Sequence, residues 1–243
     1  MSTKINNSIL KTSLNPDGIM KLTLSSPHNH NALSEEMMFN IQSALNDSIN
    51  DKQVRVIIIS ADGSTFSAGH DLKELTHGRK NPDKGRVYFK EIMSKCSKLM
   101  QTIVNNPKPV IAEVSGVATA AGCQLVASCD LAYASKSAKF ATPGVNIGLF
   151  CSTPMVAVSR NISNKHSMEM LLCGELVSAD QAEKIGLINK AVEDSQLKKY
   201  TLNIALKISK KSALTLKIGK EAFYKQIDMT LSEAYDYASN VMV

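Results

Sequence analysis

The stretch that most constrains this chain runs from Val110 to Asp130, VIAEVSGVATAAGCQLVASCD. Its β-branched opening at Val110, Ile111 and Val114 reads as a buried strand. A small-residue turn at Gly116 to Gly122 follows, and the apolar spacing then becomes helical. A strand that passes through such a turn into a helix leaves the first helical N–H groups without intrahelical partners. With nothing larger than a methyl group at Ala118, Ala120, Ala121 and Gly122, a ligand can come close to those groups. The helix start then favours an anion or a developing oxyanion.

A second stretch, Phe66 to Leu75 (FSAGHDLKEL), has the same form, preceded by VRVIIIS at Val54 to Ser60 and followed by a charged helical segment. Two such turns can aim their N–H groups at one carbonyl oxygen. Around them, Ile9 to Ser13 and Ile19 to Ser25 read as a hairpin about Asn15-Pro16-Asp17-Gly18. Ser34 reads as the N-cap of a helix with Glu35 and Glu36 in its first turn. THGRKNPDKGR, after Leu75, reads as a mobile loop able to act as a lid. A helix from about Tyr88 to Val104 is stopped by Pro107 and Pro109. Short strands are expected at Leu131 to Ala134 and Lys139 to Thr142, so strand and helix alternate as in stacked, right-handed βαβ units. From Ser152 onward the pattern reads as almost wholly helical.

At 243 residues with 44% hydrophobic content, the chain suffices for one sizeable α/β core. No apolar run approaches the roughly 18 residues of a membrane span. The start, MSTKINNSIL, lacks both the apolar core of a secretory signal and the arginines of a transit peptide, which predicts a cytoplasmic protein. The five cysteines (Cys96, Cys123, Cys129, Cys151 and Cys173) show no CxxC spacing and predict neither metal site nor disulfide. The formal charge of +6 is spread along the chain, with a lysine cluster at Lys198, Lys199, Lys207, Lys210, Lys211, Lys217 and Lys220. With almost no interleaved aromatics, this cluster reads as a solvated helix face rather than a nucleic-acid surface. A basic chain would also suit a polyphosphorylated ligand such as coenzyme A.

FSAGHDLKEL followed by SGVATAAGCQLVASCD resembles the crotonase (enoyl-CoA hydratase/isomerase) superfamily. The order from NALS (Asn31 to Ser34) through ATPGVNIGLF (Ala141 to Phe150) to SADQAEKIGLIN (Ser178 to Asn189) also matches. The resemblance implies an α/β spiral of ββα turns of the ClpP/crotonase type, with residues 1–190 as core and 191–243 as a C-terminal helical trimerisation region. It implies a further helix beyond Val243, so that either the chain is truncated or its trimer is finished differently, and assembly as a homotrimer or hexamer. It also implies an acyl-CoA thioester as substrate, with coenzyme A part of that substrate and no separate cofactor. The thioester carbonyl would be held by the backbone N–H groups of His70 and Ala121, the oxyanion hole. Such a donor contributes about 2.7 to 4 kcal/mol to transition-state stabilisation. Ala68, Asp71 and Leu72 fall where the family cradles the adenine end of CoA, and Ala32 falls where pantetheine passes.

The departures concern the acid/base groups. The two positions that carry glutamates in enoyl-CoA hydratases are Gln124 and Gly144 here. An amide does not exchange a proton at ordinary pH and glycine has no side chain. Each lost group removes typically ~10² to 10⁴-fold of rate. Efficient hydration is therefore not expected, nor is isomerisation that relies on the second carboxylate alone. Gln124 together with ATPGVNIGLFCST resembles a less-characterised branch of the family. SAGHD also resembles acyl-CoA decarboxylases of the superfamily, which makes the His70 side chain a candidate. Asn146, Cys151 and Ser152 are candidates of lower rank, Asp130 and Glu113 read as structural, and Ser67 and Thr119 as hydrogen-bonding loop residues. Three functions follow: an enolate-forming acyl-CoA lyase or isomerase, a non-catalytic acyl-CoA-binding protein, and nucleic-acid binding through Lys198, Lys199 and Lys211.

Overall fold

The computed structural model describes residues 9–243. Most of MSTKINNSIL, on which the leader reading rests, lies outside the described residues. In chain order the elements begin with strands β1 (Leu10–Leu14) and β2 (Ile19–Leu24), helix α1 (Glu35–Asn50), and strands β3 (Val56–Ala61) and β4 (Thr65–Ser67). Helices α2 (Leu72–Gly78) and α3 (Arg86–Asn105) precede β5 (Val110–Val114), β6 (Val117–Thr119) and α4 (Ala121–Ser128). Next come β7 (Leu131–Ser135), β8 (Lys139–Ala141), α5 (Ser152–Val158), α6 (Asn164–Cys173), β9 (Val177–Ser178) and α7 (Ala179–Ile185). The chain closes with β10 (Lys190–Val192), α8 (Leu197–Ser209), α9 (Ala213–Gln226) and α10 (Leu231–Met242).

Two sheets result, one of six strands in the order β1-β2-β3-β5-β7-β10 and one of four in the order β4-β6-β8-β9. Each winding of the chain gives one strand to each sheet: β3 and β4, then β5 and β6, then β7 and β8. Within both sheets these strands pair in parallel, so successive windings stack, with a register shift between Thr65 and Ser67 where β4 meets β6. That is the ββα spiral implied by the resemblance. VIIISA of β3 is buried on both faces except at its last residue, as a central parallel strand covered from two sides must be.

Local chemistry sets the elements. The hairpin turn closes because Asn15 Oδ1 accepts from Asp17 N (3.1 Å) and Ile19 N (2.8 Å). At Gly18, with φ +77°, a Cβ would fall 2.4 Å from Arg55 Cγ. Ser34 caps α1 by accepting from Met37 N at 3.1 Å. The faces of β3 diverge: Ile57 and Ile59 join the main core with α1, α3 and α4, while Val56 and Ile58 meet α8. α8 buries Leu197, Thr201, Ala205 and Ser209, a stripe at four-residue spacing whose small members let the helix lie close on the sheet.

Three readings change. THGRKNPDKGR is not a continuous loop: Thr76 to Gly78 close α2, and α3 begins at Arg86. Gly78 allows this, because a Cβ there would fall 2.3 Å from the Tyr88 ring. The small-residue turn contains a strand, β6, since Val117 to Thr119 pair with β8. The C-terminal third contains β9 and β10, two- and three-residue strands too short to show a period.

Candidate active site

Three neighbouring parallel strands end together. His70 follows β4, Ala121 follows β6 and Gly144 follows β8, so all three lie beyond the carboxyl ends of adjacent strands in the small sheet. Open α/β sheets bind ligands at such ends. The windings are locked by close backbone approach. A Cβ on Gly116 would fall 1.9 Å from Ser64 O, and one on Gly122 would fall 2.2 Å from Ser67 O. A Cβ on Gly69 would meet the Ala120 methyl at 2.9 Å and Ala121 N at 3.0 Å, so the first loop rests directly on the start of α4.

The two backbone donors singled out from the sequence are thus brought side by side. Neither His70 N nor Ala121 N donates a hydrogen bond among the described residues, and α4 has no side-chain cap. Ala120, just before the helix, has φ 50° and ψ −119°, a backbone conformation that costs an L-residue about 1 to 3 kcal/mol. It is held there by Ala120 N donating to Ala141 O at 2.9 Å.

The segment His30 to Leu33 lies along the first loop. Ala68 N donates to His30 O (3.0 Å) and Leu33 N to Gly69 O (2.7 Å), which sets Ala32 beside Ala68 and His70. The sequence reading missed the residue that holds this segment. Asn31 is fully buried; its Oδ1 accepts from Ser26 N (2.7 Å), and its Nδ2 donates to Asp62 O (2.8 Å) and Thr65 O (2.6 Å). The signal was present in NALS, since a polar amide before an apolar helix start has few reasons to be buried other than backbone bonding.

Asp71 is the N-cap of α2, accepting from Lys73 N at 2.7 Å, and its other oxygen accepts from Asn29 Nδ2 at 2.6 Å. Burial opposes ionisation there, but the Asn29, Lys73 and Glu74 hydrogen bonds hold the carboxyl below its usual range. Leu72 is exposed, as is Ala68. Ser67 and Thr119 hydrogen-bond the loops: Gly69 N donates to Ser67 Oγ (3.3 Å), and Thr119 Oγ1 to Ala68 O (3.3 Å).

The His70 side chain differs from these satisfied groups. Both ring nitrogens are buried, and the Leu33 backbone approaches the ring without reaching full hydrogen-bond geometry. Burial pushes the imidazole pKa down, and the Leu33 backbone opposes only part of that, so the ring is neutral at pH 7.

Gln124 lies one turn into α4, buried, with its Oε1 3.9 Å from Cys96 Sγ. Burial pushes the Cys96 thiol up to about 12, so it stays protonated. Gly144 is filled in by its own loop: a Cβ would fall 2.8 Å from Leu149 O and 2.9 Å from Cys151 Sγ, and Gly144 N donates to that sulfur at 3.3 Å. Cys151 is pushed up by burial, with the Gly144 N–H opposing, and is no ready nucleophile. Asn146 turns to Gly174 O (3.2 Å) and Ser152 Oγ to Phe150 O (3.4 Å).

The carboxylates read as structural are paired elsewhere. Glu113 accepts from Lys21 Nζ at 2.8 Å across the sheet. Asp130 accepts from Lys220 Nζ (2.7 Å), Val110 N (2.7 Å) and Tyr224 OH (3.0 Å). Lys220, read from sequence as part of a solvated face, is buried in this pair, its side chain 9% exposed.

Two sheets of mainly parallel strands wound as a ββα spiral define a crotonase-type fold, and the comparisons agree. The enoyl-CoA hydratase/isomerase family model matches residues 15–243, and the chain belongs to that family. It is 49% identical over 227 residues to "Enoyl-CoA hydratase domain-containing protein 3, mitochondrial" of Mus musculus, covering 93% of this chain and 74% of the relative. The crystal structure of human enoyl-CoA hydratase domain-containing protein 3 superposes with a TM-score of 0.91 at 46% identity, covering 96% of this chain and 90% of that one. An enoyl-CoA hydratase from Mycobacterium smegmatis superposes with a TM-score of 0.92 at 43% identity, over 96% of this chain and 89% of that one. The resemblance to a particular branch, drawn from Gln124 and ATPGVNIGLFCST, therefore holds.

The cytoplasmic expectation is overturned, because the mouse relative is a mitochondrial protein by name. The expectation rested on an arginine-poor start, whereas an address is read from a leader and the residues that build the fold carry none of it. Among the described residues no helix is long and apolar enough to cross a membrane.

Proposed function

We propose that this protein binds an acyl-CoA thioester, holds its carbonyl between the His70 and Ala121 N–H groups, and stabilises an enolate there without efficient hydration. One observation carries the reading: two unclaimed amides stand side by side, while the positions that would supply proton transfer hold a buried amide and a glycine. Two aligned donors lower the energy of an oxyanion, but water addition also needs a base for the water and an acid for the α-carbon. Ala32, Ala68, Asp71 and Leu72 line the approach for the CoA moiety, Asp71 acting through the α2 cap rather than as a free charge. No separate cofactor is required.

The test is turnover of crotonyl-CoA and methylmalonyl-CoA, together with binding of a non-reactive acyl-CoA, on the native protein and on Gln124→Glu. Acyl-CoA binding with negligible native hydration supports the reading, and native hydration at an enzyme-like rate overturns it. Binding without turnover of any thioester leaves the non-catalytic acyl-CoA-binding protein in its place. Gly144→Glu is a poor companion variant, since its Cβ must displace the Leu149 carbonyl.

A second reading, an acyl-CoA decarboxylase, is favoured by the buried imidazole with no partner. There the C–C bond to the carboxylate breaks, its electrons enter the thioester enolate, carbon dioxide leaves, and neutral His70 stands ready to hydrogen-bond the departing group. Methylmalonyl-CoA turnover lost in His70→Gln distinguishes it.

We further propose a mitochondrial location, which imaging of the tagged full-length protein would test, and a homotrimer. α9 and α10 bury no residue fully and expose the apolar side chains Leu214, Phe223, Leu231 and Tyr235, some of which a second copy would cover. A monomer by light scattering would rule the trimer out.

A further inference from the structure

On the α8 face of the six-stranded sheet, turned away from the site above, a cleft of about 420 Å³ opens between β10 and α8. One wall is a single face of the helix, Gln196, Lys199, Tyr200 and Asn203, at the spacing i, i+3, i+4, i+7. The other wall is the β10 edge with Lys190, closed at one end by Lys136. The ring of Tyr200 is held in place from two sides. Tyr133 meets it edge-on with centroids 5.3 Å apart, and Lys190 Nζ lies 5.7 Å from its centroid. Lys136 is neutralised by Glu193 at 2.5 Å, but Lys190 and Lys199 have no carboxylate within ion-pair distance among the described residues.

Two unbalanced ammonium groups beside a fixed aromatic ring and two side-chain amides make a surface for an anion that carries a planar ring. The alternative, a peptide strand added to the β10 edge, is blocked. The Ala191 N–H, which a new strand would need, already donates to Glu183 Oε2 at 2.8 Å. We propose that this cleft binds a mononucleotide whose phosphates draw Lys190 from over the Tyr200 ring and pair with it and Lys199, while the base stacks on the face it leaves, independently of the acyl-CoA site.

The test is calorimetric titration of the full chain with ADP and, separately, inorganic phosphate, in the presence of saturating acetyl-CoA so that the thioester site is filled. Lys190→Gln and Lys199→Gln, both exposed and safe for folding, are each expected to weaken ADP and phosphate by about tenfold, the loss of one charge-assisted bond. Tyr200→Leu is expected to weaken ADP by about tenfold and leave phosphate unchanged, because stacking serves only the base. Tyr200→Phe, which keeps the ring and its packing, should bind ADP as the native protein does. ADP binding that both lysine variants leave intact, or no ADP binding once acetyl-CoA is bound, overturns the proposal. So does tight binding of single-stranded RNA with none of ADP, which would make the lysines a nucleic-acid face.

Discussion

Two buried polar clusters in this molecule are built on opposite principles. At Asp130 every group is satisfied: Lys220 Nζ gives its three hydrogens to Asp130, Ile103 O (3.0 Å) and Lys108 O (3.1 Å), while Tyr224 and Val110 N complete the carboxylate. This cluster clamps α9 to the ends of α3, α4 and β5. At His70 the ring nitrogens have no partner, and the amides of His70 and Ala121 are unclaimed. A folded chain keeps buried polar groups paired because each orphan costs about 1 to 3 kcal/mol. The closed cluster is therefore explained by the fold alone, whereas the open one leaves polar groups that the fold does not use.

The largest effect should come from breaking the closed cluster. Lys220→Met strands the Asp130 carboxylate and is expected to cost about 3 to 5 kcal/mol, on the order of 10 °C in Tm for a domain of this size. Calorimetry checks it; Lys225→Ala, which removes only an exposed pair with Glu221 (2.6 Å), should leave Tm unchanged. A Lys220 variant as stable as the native protein would erase the contrast.

Next, Gln124→Glu should add hydration of crotonyl-CoA by about 10²-fold, the effect of one proton-transfer group. Because residue 124 is buried, the new carboxyl will have a raised pKa. The gained rate should therefore appear as pH rises through that pKa.

A smaller effect concerns His70. Its folded pKa is depressed, so as pH falls below the ordinary value of about 6.5 the unfolded chain takes up a proton that the folded chain refuses. Stability from this group is present above pH 6.5 and is lost as pH falls toward the folded pKa. Denaturant midpoints between pH 7.5 and 5.5 should fall less steeply in His70→Gln than in the native protein, and a bound acyl-CoA should flatten the native curve. Equal slopes would mean the imidazole is not strained by burial.

The smallest is Ala120→Gly. Relief of the positive φ should raise stability by about 1 kcal/mol, or about 2 to 4 °C in Tm, without loss of acyl-CoA binding. A lowered Tm would show that the Ala120 methyl, packed on Gly69, contributes more than its backbone costs.

Much of this could be read from residue types. The strand at Val110 and the helix starts at Ser34 and Ala121 depend on local sequence, whereas His70 and Ala121 as donors and Gln124 and Gly144 in place of glutamates are what the family resemblance implies. Other features could not. β6, β9 and β10 span three, two and three residues and exist only through their partners. Lys220 looks like its neighbours Lys217 and Lys211 in sequence, and only the placement of α9 over Asp130 makes it a buried cation. Gly144 reads as an absent glutamate, yet Cys151 and Leu149 O occupy the room a side chain would need.

Sequence alone determined the alternation of strands and helices and the small residues that let windings touch, because both follow from residue type and spacing, while the spiral and the expected replacement of the acid/base groups are what the family resemblance implies. Only the tertiary structure decided which polar groups are satisfied. A hydrogen bond joins residues distant in the chain, and whether a buried histidine or lysine finds its partner depends on where the windings bring the chain together.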